Sequence, residues 1–121
     1  MEHRMKIALI GAGEIAEVAY LPNLHAPEKG YEVAYVCDKD PERLKWAKTI
    51  APAARLTSDL EEILRDREVN WVFILTPLLT HLPIAKKALA AGKNVFTEKP
   101  LSIDFDKAAA TIQFAKKKGL H

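Results

Sequence analysis

Residues 5–16 read Met5-Lys6-Ile7-Ala8-Leu9-Ile10-Gly11-Ala12-Gly13-Glu14-Ile15-Ala16. A short apolar run opens onto a glycine, and an amphipathic segment follows. The run predicts a strand buried on both faces, as in a parallel sheet. The pattern GxGxxA is weak evidence alone, but between a strand and a helix it has a physical reading. Gly11 permits a tight turn, and at Gly13 the missing side chain lets a pyrophosphate reach the backbone. Ala16 is small enough for the helix to pack closely on the strand. The start of that helix offers free N–H groups and a positive dipole to an anion. Gly11, Ala12, Gly13, Glu14, Ile15 and Ala16 are therefore the candidate phosphate-binding turn of a dinucleotide site. The competing reading is a structural glycine turn that holds no ligand.

Outward from this stretch, apolar runs and amphipathic segments alternate five times. A helix is expected from about Glu14, with Ile15, Val18 and Ala19 on one face, ending or bending at Pro22. Residues 31–37 (YEVAYVC) predict the next strand. Asp40 followed by Pro41 predicts a capped helix running to about Ile50. Residues 55–57 predict a weak strand. Ser58 and Glu61 have capping-box spacing for a helix that turns Leu60, Ile63 and Leu64 inward. Residues 71–75 (WVFIL) predict a fourth strand. Thr80 is the expected cap of a helix that stops at Gly92, and residues 93–97 predict a fifth strand. Asp104 is the expected cap of a last helix with Phe105, Ala108, Ile112 and Ala115 along one face, stopped by Gly119. Such alternation predicts an α/β Rossmann fold: a doubly wound parallel sheet, helices on both faces, joined by right-handed crossovers. The expected strand order is 3-2-1-4-5-6, with the sixth strand absent from these residues, leaving the fifth as an open edge suited to self-association.

Bulk properties narrow the function class. The chain has 121 residues, 28% charged and 49% hydrophobic, which fits one soluble domain over residues 1–121. The net charge of +2 marks neither a nucleic-acid footprint nor a polybasic membrane patch. The Lys116–Lys118 run sits at a helix end, where cations complement the dipole. A single cysteine, Cys37, excludes an internal disulfide and fits a reducing compartment. With no apolar stretch near the ~20 residues of a membrane span and no signal-peptide pattern, a cytoplasmic protein is expected. His3, His25 and His121 have no partners at metal-ligand spacing, so no metal site is proposed. Cys37, Trp46 and Trp71 read as packing residues.

Asp38 directly follows the second strand. An acid there can accept hydrogen bonds from adenosine ribose hydroxyls. It lies further past Gly11 than the usual ~20 residues, which the first helix and the loop around Pro27 and Gly30 account for. Its carboxylate repels a 2′-phosphate, so NAD is expected over NADP. Lys39 complicates this, because its ammonium could accept that phosphate. The competing reading makes Asp38 a turn or cap residue, a role Asp40 fits better.

Two further motifs are Thr76-Pro77-Leu78-Leu79-Thr80-His81 after the fourth strand and Glu98-Lys99-Pro100 after the fifth. With GxGxxA, they resemble the cofactor domain of the glucose–fructose oxidoreductase and inositol dehydrogenase (Gfo/Idh/MocA) family across residues 6–119. The resemblance implies that Thr76 and Pro77 pass beside the cofactor and that His81 lies near its ribose. It also implies that Glu98 and Lys99 lie near the nicotinamide ribose and the reacting carbon. The family has asparagine where this chain has Leu78, which leaves only backbone or packing contact there. The implied activity is hydride transfer between NAD or NADP and a secondary alcohol of a sugar or polyol. A C-terminal α/β substrate domain, absent from these residues, and a homo-oligomer are implied too.

The chemistry of Lys99 agrees with the resemblance. Ligands of open α/β sheets bind beyond the carboxyl ends of the strands, where Lys99 falls. Oxidising a secondary alcohol requires a group to move the hydroxyl proton. A lysine can do so if burial or a nearby cation lowers its pKa from about 10.4. Pro100 biases Lys99 towards extended backbone. Lys99 is the one candidate catalytic residue. The alternative for the whole chain is a non-catalytic dinucleotide-binding or sensing module.

Overall fold

A computed structural model describes residues 5–11, 30–76, 78–97 and 104–121. Within them lie β1 (Met5–Ile10), β2 (Tyr31–Cys37), α1 (Pro41–Ile50), β3 (Arg55–Thr57), α2 (Leu60–Arg65), β4 (Trp71–Ile74), α3 (Leu78–Ala90), β5 (Asn94–Thr97) and α4 (Phe105–Lys117). The strands form one sheet in the order β3-β2-β1-β4-β5, and all four pairings are parallel. This is the expected doubly wound arrangement, with the order reversing between β1 and β4. The helix expected from Glu14 lies outside the described residues.

The sheet is buried on both faces because its strands are apolar at successive positions. One face carries Ile7, Leu9, Val36 and Leu75 against Ala47 of α1 and Ala51, which caps it, with Trp46, Trp71 and Phe73 partly buried around them. The other carries Ala8, Ile10, Cys37, Val72 and Ile74 against Ile63 of α2 and Ala85 and Ala88 of α3. A bulge decides which face part of β2 serves. Ile7 pairs with Val33 but Ala8 pairs with Tyr35, so Ala34 is the extra residue. Val33 therefore packs beside Ile7, while Tyr35 and Cys37 switch to the opposite face with Ala8 and Ile10.

Several local expectations are corrected. The α2 cap is Asp59, whose side chain accepts from the Glu61 N–H, and Ser58 is not the cap. Both residue types cap well, but the Asp59 N–H donates to Thr57 Oγ1, which sets the turn one residue later. Thr80 lies inside α3, which begins at Leu78 and runs through Pro83. Lys93 precedes β5 and is buried, its ammonium donating to the Asp66 carbonyl. On α4, Thr111 and Ala115 are buried, whereas Ile112 is 50% exposed. The Asp40–Pro41 start of α1, its end at Ile50 and the Asp104 cap of α4 stand as expected. The edge of β5, expected to be open, is partly covered by the C-terminal residue: the Val95 N–H donates to the His121 carbonyl, the His121 N–H donates to Asn94 Oδ1, and the His121 ring stacks on Trp71.

The amino end of the sheet is tied by contacts distant in sequence. Lys6 Nζ donates to Glu68 Oε2 at 2.7 Å, and the Tyr35 hydroxyl donates to Asp66 Oδ2 at 2.8 Å. The Glu68 N–H and the Tyr35 hydroxyl hold the Asp66 carboxyl below the ordinary carboxylate range.

Candidate functional site

The carboxyl ends of β1, β2 and β4 meet in a cleft of about 510 Å³ whose lining includes Gly11, Asp38, Lys39, Arg43, Thr76 and Thr80. Backbone bonds lace the three ends together. The Gly11 N–H donates to the Cys37 carbonyl at 2.7 Å, and the Leu75 N–H donates to the Ile10 carbonyl at 2.8 Å. The cleft thus opens where the strand order reverses, which is where open α/β sheets bind ligands.

Gly11 is needed there for two reasons. Its φ is +98°, a conformation L side chains rarely adopt. A Cβ on it would also stand 3.0 Å from the Leu75 carbonyl carbon and oxygen and from Thr76 Cγ2. Any side chain would fill the space between the end of β1 and the loop after β4. This is the tight turn that the first glycine of a dinucleotide-binding loop makes. The rest of the candidate phosphate turn, Ala12, Gly13, Glu14, Ile15 and Ala16, lies outside the described residues.

Asp38 follows β2, as the sequence requires, and its side chain is only 9% exposed. Its Oδ1 accepts the Asp40 N–H at 2.9 Å, and its own N–H donates to the Thr57 carbonyl at 3.1 Å. Asp38 therefore does shape the turn into α1, while Asp40 caps that helix by accepting from the Glu42 N–H. The two roles weighed for Asp38 are compatible, because one oxygen serves the turn and the carboxylate still lines the cleft. Lys39 is exposed beside it.

Sequence reasoning missed Arg43. Its guanidinium lies in the first turn of α1, with Nη1 3.8 Å from Asp38 Oδ2 and Nε 3.7 Å from Asp40 Oδ2. The signal that could have found it is helical spacing: an arginine three residues after a cap Asp faces back towards that cap.

Thr76 and Thr80 bond to each other through their hydroxyls, joining the loop after β4 to α3. His81 is buried at 4% exposure, and its Nε2 lies 2.8 Å from the Thr76 carbonyl oxygen. A carbonyl only accepts, so Nε2 carries the proton and donates. The ring thus holds the Thr76 backbone, and His81 itself does not line the cleft. Leu78 opens α3. Pro77, Glu98, Lys99 and Pro100 lie outside the described residues. Cys37 lines the cleft floor, and burial, with Asp38 nearby, pushes its thiol up to about 11. It is a protonated packing group at neutral pH, not a nucleophile.

No three His, Cys, Asp or Glu side chains gather as metal ligands among the described residues. No helix among them is long and apolar enough to cross a membrane.

Residues 5–121 match the family model of the Gfo/Idh/MocA oxidoreductases, described as an oxidoreductase family with an NAD-binding Rossmann fold. The chain is 35% identical over 119 residues to an inositol 2-dehydrogenase of Arthrobacter sp. (strain FB24), covering 98% of the chain and 35% of that relative. It superposes on scyllo-inositol dehydrogenase from Lactobacillus casei, solved with NAD(H) and scyllo-inositol, with a TM-score of 0.85 and 26% identity. That match covers 96% of this chain and 34% of the other. A 3-ketoreductase from Actinomadura kijaniata, solved with TDP-benzene and NADP, gives a TM-score of 0.86 at 27% identity, covering 97% and 37%. The chain spans about a third of the length of the curated relatives it matches. The resemblance read from GxGxxA, the Thr76–His81 segment and Glu98-Lys99-Pro100 is thereby borne out, and the chain belongs to the Gfo/Idh/MocA oxidoreductase family, whose NAD-binding Rossmann fold it carries.

Proposed function

We propose that this chain is the cofactor-holding domain of an NAD(P)-dependent oxidoreductase acting on a secondary alcohol of a sugar, polyol or related compound. The observation that carries the reading is the tight turn at Gly11, which lines one cleft with Asp38 where the strand order reverses. Relatives named as inositol dehydrogenases support the substrate class.

In this reading Gly11 to Ala16 take the pyrophosphate and Asp38 accepts from the ribose hydroxyls, favouring NAD. Thr76, Pro77 and Leu78 form the wall beside the cofactor, and His81 fixes that wall through the Thr76 carbonyl. Glu98 and Pro100 orient Lys99, which receives the proton from the substrate hydroxyl. When bound, the nicotinamide supplies the hydride acceptor for oxidation of the alcohol to a ketone. A second domain supplies the rest of the substrate pocket, and residues 1–121 alone bind cofactor without turnover. Hydride transfer needs reacting atoms held roughly 3–3.5 Å apart, and a closed pocket provides that positioning.

The test combines calorimetric titration of the chain with NAD and an absorbance assay with a panel of sugars and polyols. NAD binding that is lost in Gly13→Val, with the fold retained, is expected. Unchanged affinity in Gly13→Val overturns the phosphate assignment. Turnover by the 121-residue chain that disappears in Lys99→Ala overturns the need for a second domain while supporting the role of Lys99.

A further inference from the structure

Parallel pairing brings the starts of β4 and β5 together at the amino end of the sheet, opposite the cleft at Gly11. A second cleft, of about 390 Å³, opens there. Arg65 at the end of α2, Arg67, Asn70 before β4, Lys93 and Asn94 at the start of β5 all line it. Three cations meet in this cleft, and no carboxylate is among its described lining residues. In a chain whose net charge is only +2, that is a local excess of positive charge. We propose that this cleft binds a phosphate group, free or carried on a small ester, through Arg65, Arg67 and Lys93.

Lys93 is the unusual member. It is 3% exposed, and its ammonium gives one of three protons to the Asp66 carbonyl. Nothing among the described residues takes the other two. Burial pushes this ammonium below its ordinary range, and the Asp66 carboxylate opposes that only in part. The nearby acids are already engaged: Asp66 accepts from the Tyr35 hydroxyl and the Glu68 N–H, and Glu68 pairs with Lys6. The two arginines are also available. Arg67 is exposed and makes no ion pair among the described residues. Arg65 is 74% exposed, and Asp59 Oδ2 stands 3.9 Å from its Nη2, beyond hydrogen-bond length. Guanidinium planes match phosphate oxygens in pairs, and a dianion suits a site with three cations better than a single carboxylate does. Asn70 adds a donor, because its Oδ1 accepts the Lys6 N–H and its Nδ2 is left to donate. The volume lies at the low end of the roughly 300–1,000 Å³ of small-molecule clefts, which leaves room for a few carbons beyond the phosphate.

The experiment titrates inorganic phosphate and glycerol phosphate separately into the isotope-labelled chain, at one ionic strength, and follows backbone amide shifts by NMR. Sodium chloride is the control, and each titration is repeated with NAD in excess. Expected are saturating shifts at Arg67, Asn70, Gly92 and Asn94 that NAD leaves unchanged. Arg67→Gln, a change at an exposed position, should weaken the affinity about tenfold or more, as the loss of one charge-assisted contact predicts. Lys93→Met should remove binding; if it fails to fold, Arg67→Gln still decides. Equal affinity for the two probes shows that phosphate alone suffices, and tighter ester binding shows that the carbons contribute; both support the site. Shifts confined to Gly11 and Asp38 overturn it, as do shifts that never saturate, that chloride reproduces, or that keep their affinity in Arg67→Gln. Failure of NAD to bind counts against the cofactor reading and leaves this site standing.

Discussion

Replacing Gly11 by alanine separates two costs that the structure assigns to one position. The first is conformational: at φ +98° an L residue is strained, a penalty of roughly 1–2 kcal/mol. The second is steric. The new Cβ would lie 3.0 Å from the Leu75 carbonyl group and from Thr76 Cγ2. The nearest atoms include backbone held by the Leu75 N–H bond to Ile10, so they yield less than the tip of a flexible side chain would. Overpacking of this kind costs about 1–3 kcal/mol. The total is about 2–5 kcal/mol, a large share of the ~5–15 kcal/mol that stabilises an ordinary domain. Gly92→Ala is the control. Its φ is +83°, but nothing stands within 4 Å of its Cβ position, so only the conformational cost applies. Urea unfolding followed by circular dichroism reads both. With a slope near 2 kcal/mol/M, a 3 kcal/mol loss moves the midpoint by about 1.5 M. Gly11→Ala should also weaken NAD binding, because the Thr76 wall must move, whereas Gly92→Ala should not. Equal destabilisation by the two variants, within about 0.5 kcal/mol, would refute the crowding at Gly11.

Other perturbations give separable outcomes. His81→Ala removes the donor to the buried Thr76 carbonyl and should cost about 1–3 kcal/mol in urea unfolding; His81→Gln, which can still present an N–H, should restore NAD affinity more than stability, and no rescue by Gln counts against a positioning role. Asp66, whose carboxyl is held below its usual range by the Glu68 N–H and the Tyr35 hydroxyl, contributes stability present above the unfolded pKa and lost as pH falls through the folded one. The urea midpoint of Asp66→Asn should therefore fall less steeply below about pH 4 than that of the unmodified chain, and parallel curves would exclude this. Self-association through the β5 edge, beside the half-exposed Phe96 and Ile112, should appear by light scattering at high concentration and be reduced in Phe96→Lys; a monomer throughout argues against it.

The parts of this molecule that were legible in the sequence are those governed by short-range chemistry. Asp40-Pro41 predicts a helix start because a cap acceptor and a residue lacking an N–H are both suited to those two positions. Gly11 at the end of an apolar run predicts the turn, and the alternation of runs predicts the parallel order. What stayed hidden depends on a choice between near-equivalent local solutions or on contacts across the chain. Ser58 and Asp59 are both competent caps, and the Asp59 N–H bond to Thr57 decides between them. Nothing in YEVAYVC marks Ala34 as the extra residue, since the bulge exists only relative to the register of β1. Thr80 reads as a cap until its hydroxyl is found bonded to Thr76 one turn earlier. The buried ammonium of Lys93 is explained by the Asp66 carbonyl, which strand pairing brings to it.

The two ends of the sheet use their polar residues differently, and the difference bears on function. At the amino end, the bonds span long sequence separations and are short: Lys6 to Glu68 at 2.7 Å and Tyr35 to Asp66 at 2.8 Å. Such bonds fasten elements that would otherwise separate. At the carboxyl end, Asp38 Oδ1, the Asp40 carboxylate and Arg43 make contacts within a few residues, the arginine pairs are long, and the longer reach is left to the Asp38 N–H bond to Thr57. Local contacts of this kind set the shape of a turn without joining distant elements. They leave a guanidinium near its carboxylates but not locked to them. The bulge at Ala34 contributes by setting the face on which the end of β2 emerges. Cys37 becomes part of the apolar floor, and Asp38 is placed at the cleft with its backbone held by Thr57. The frame of the cleft is thus fixed by backbone bonds, so replacing the exposed side chain of Arg43 should change the charge of the cleft more than the stability of the fold.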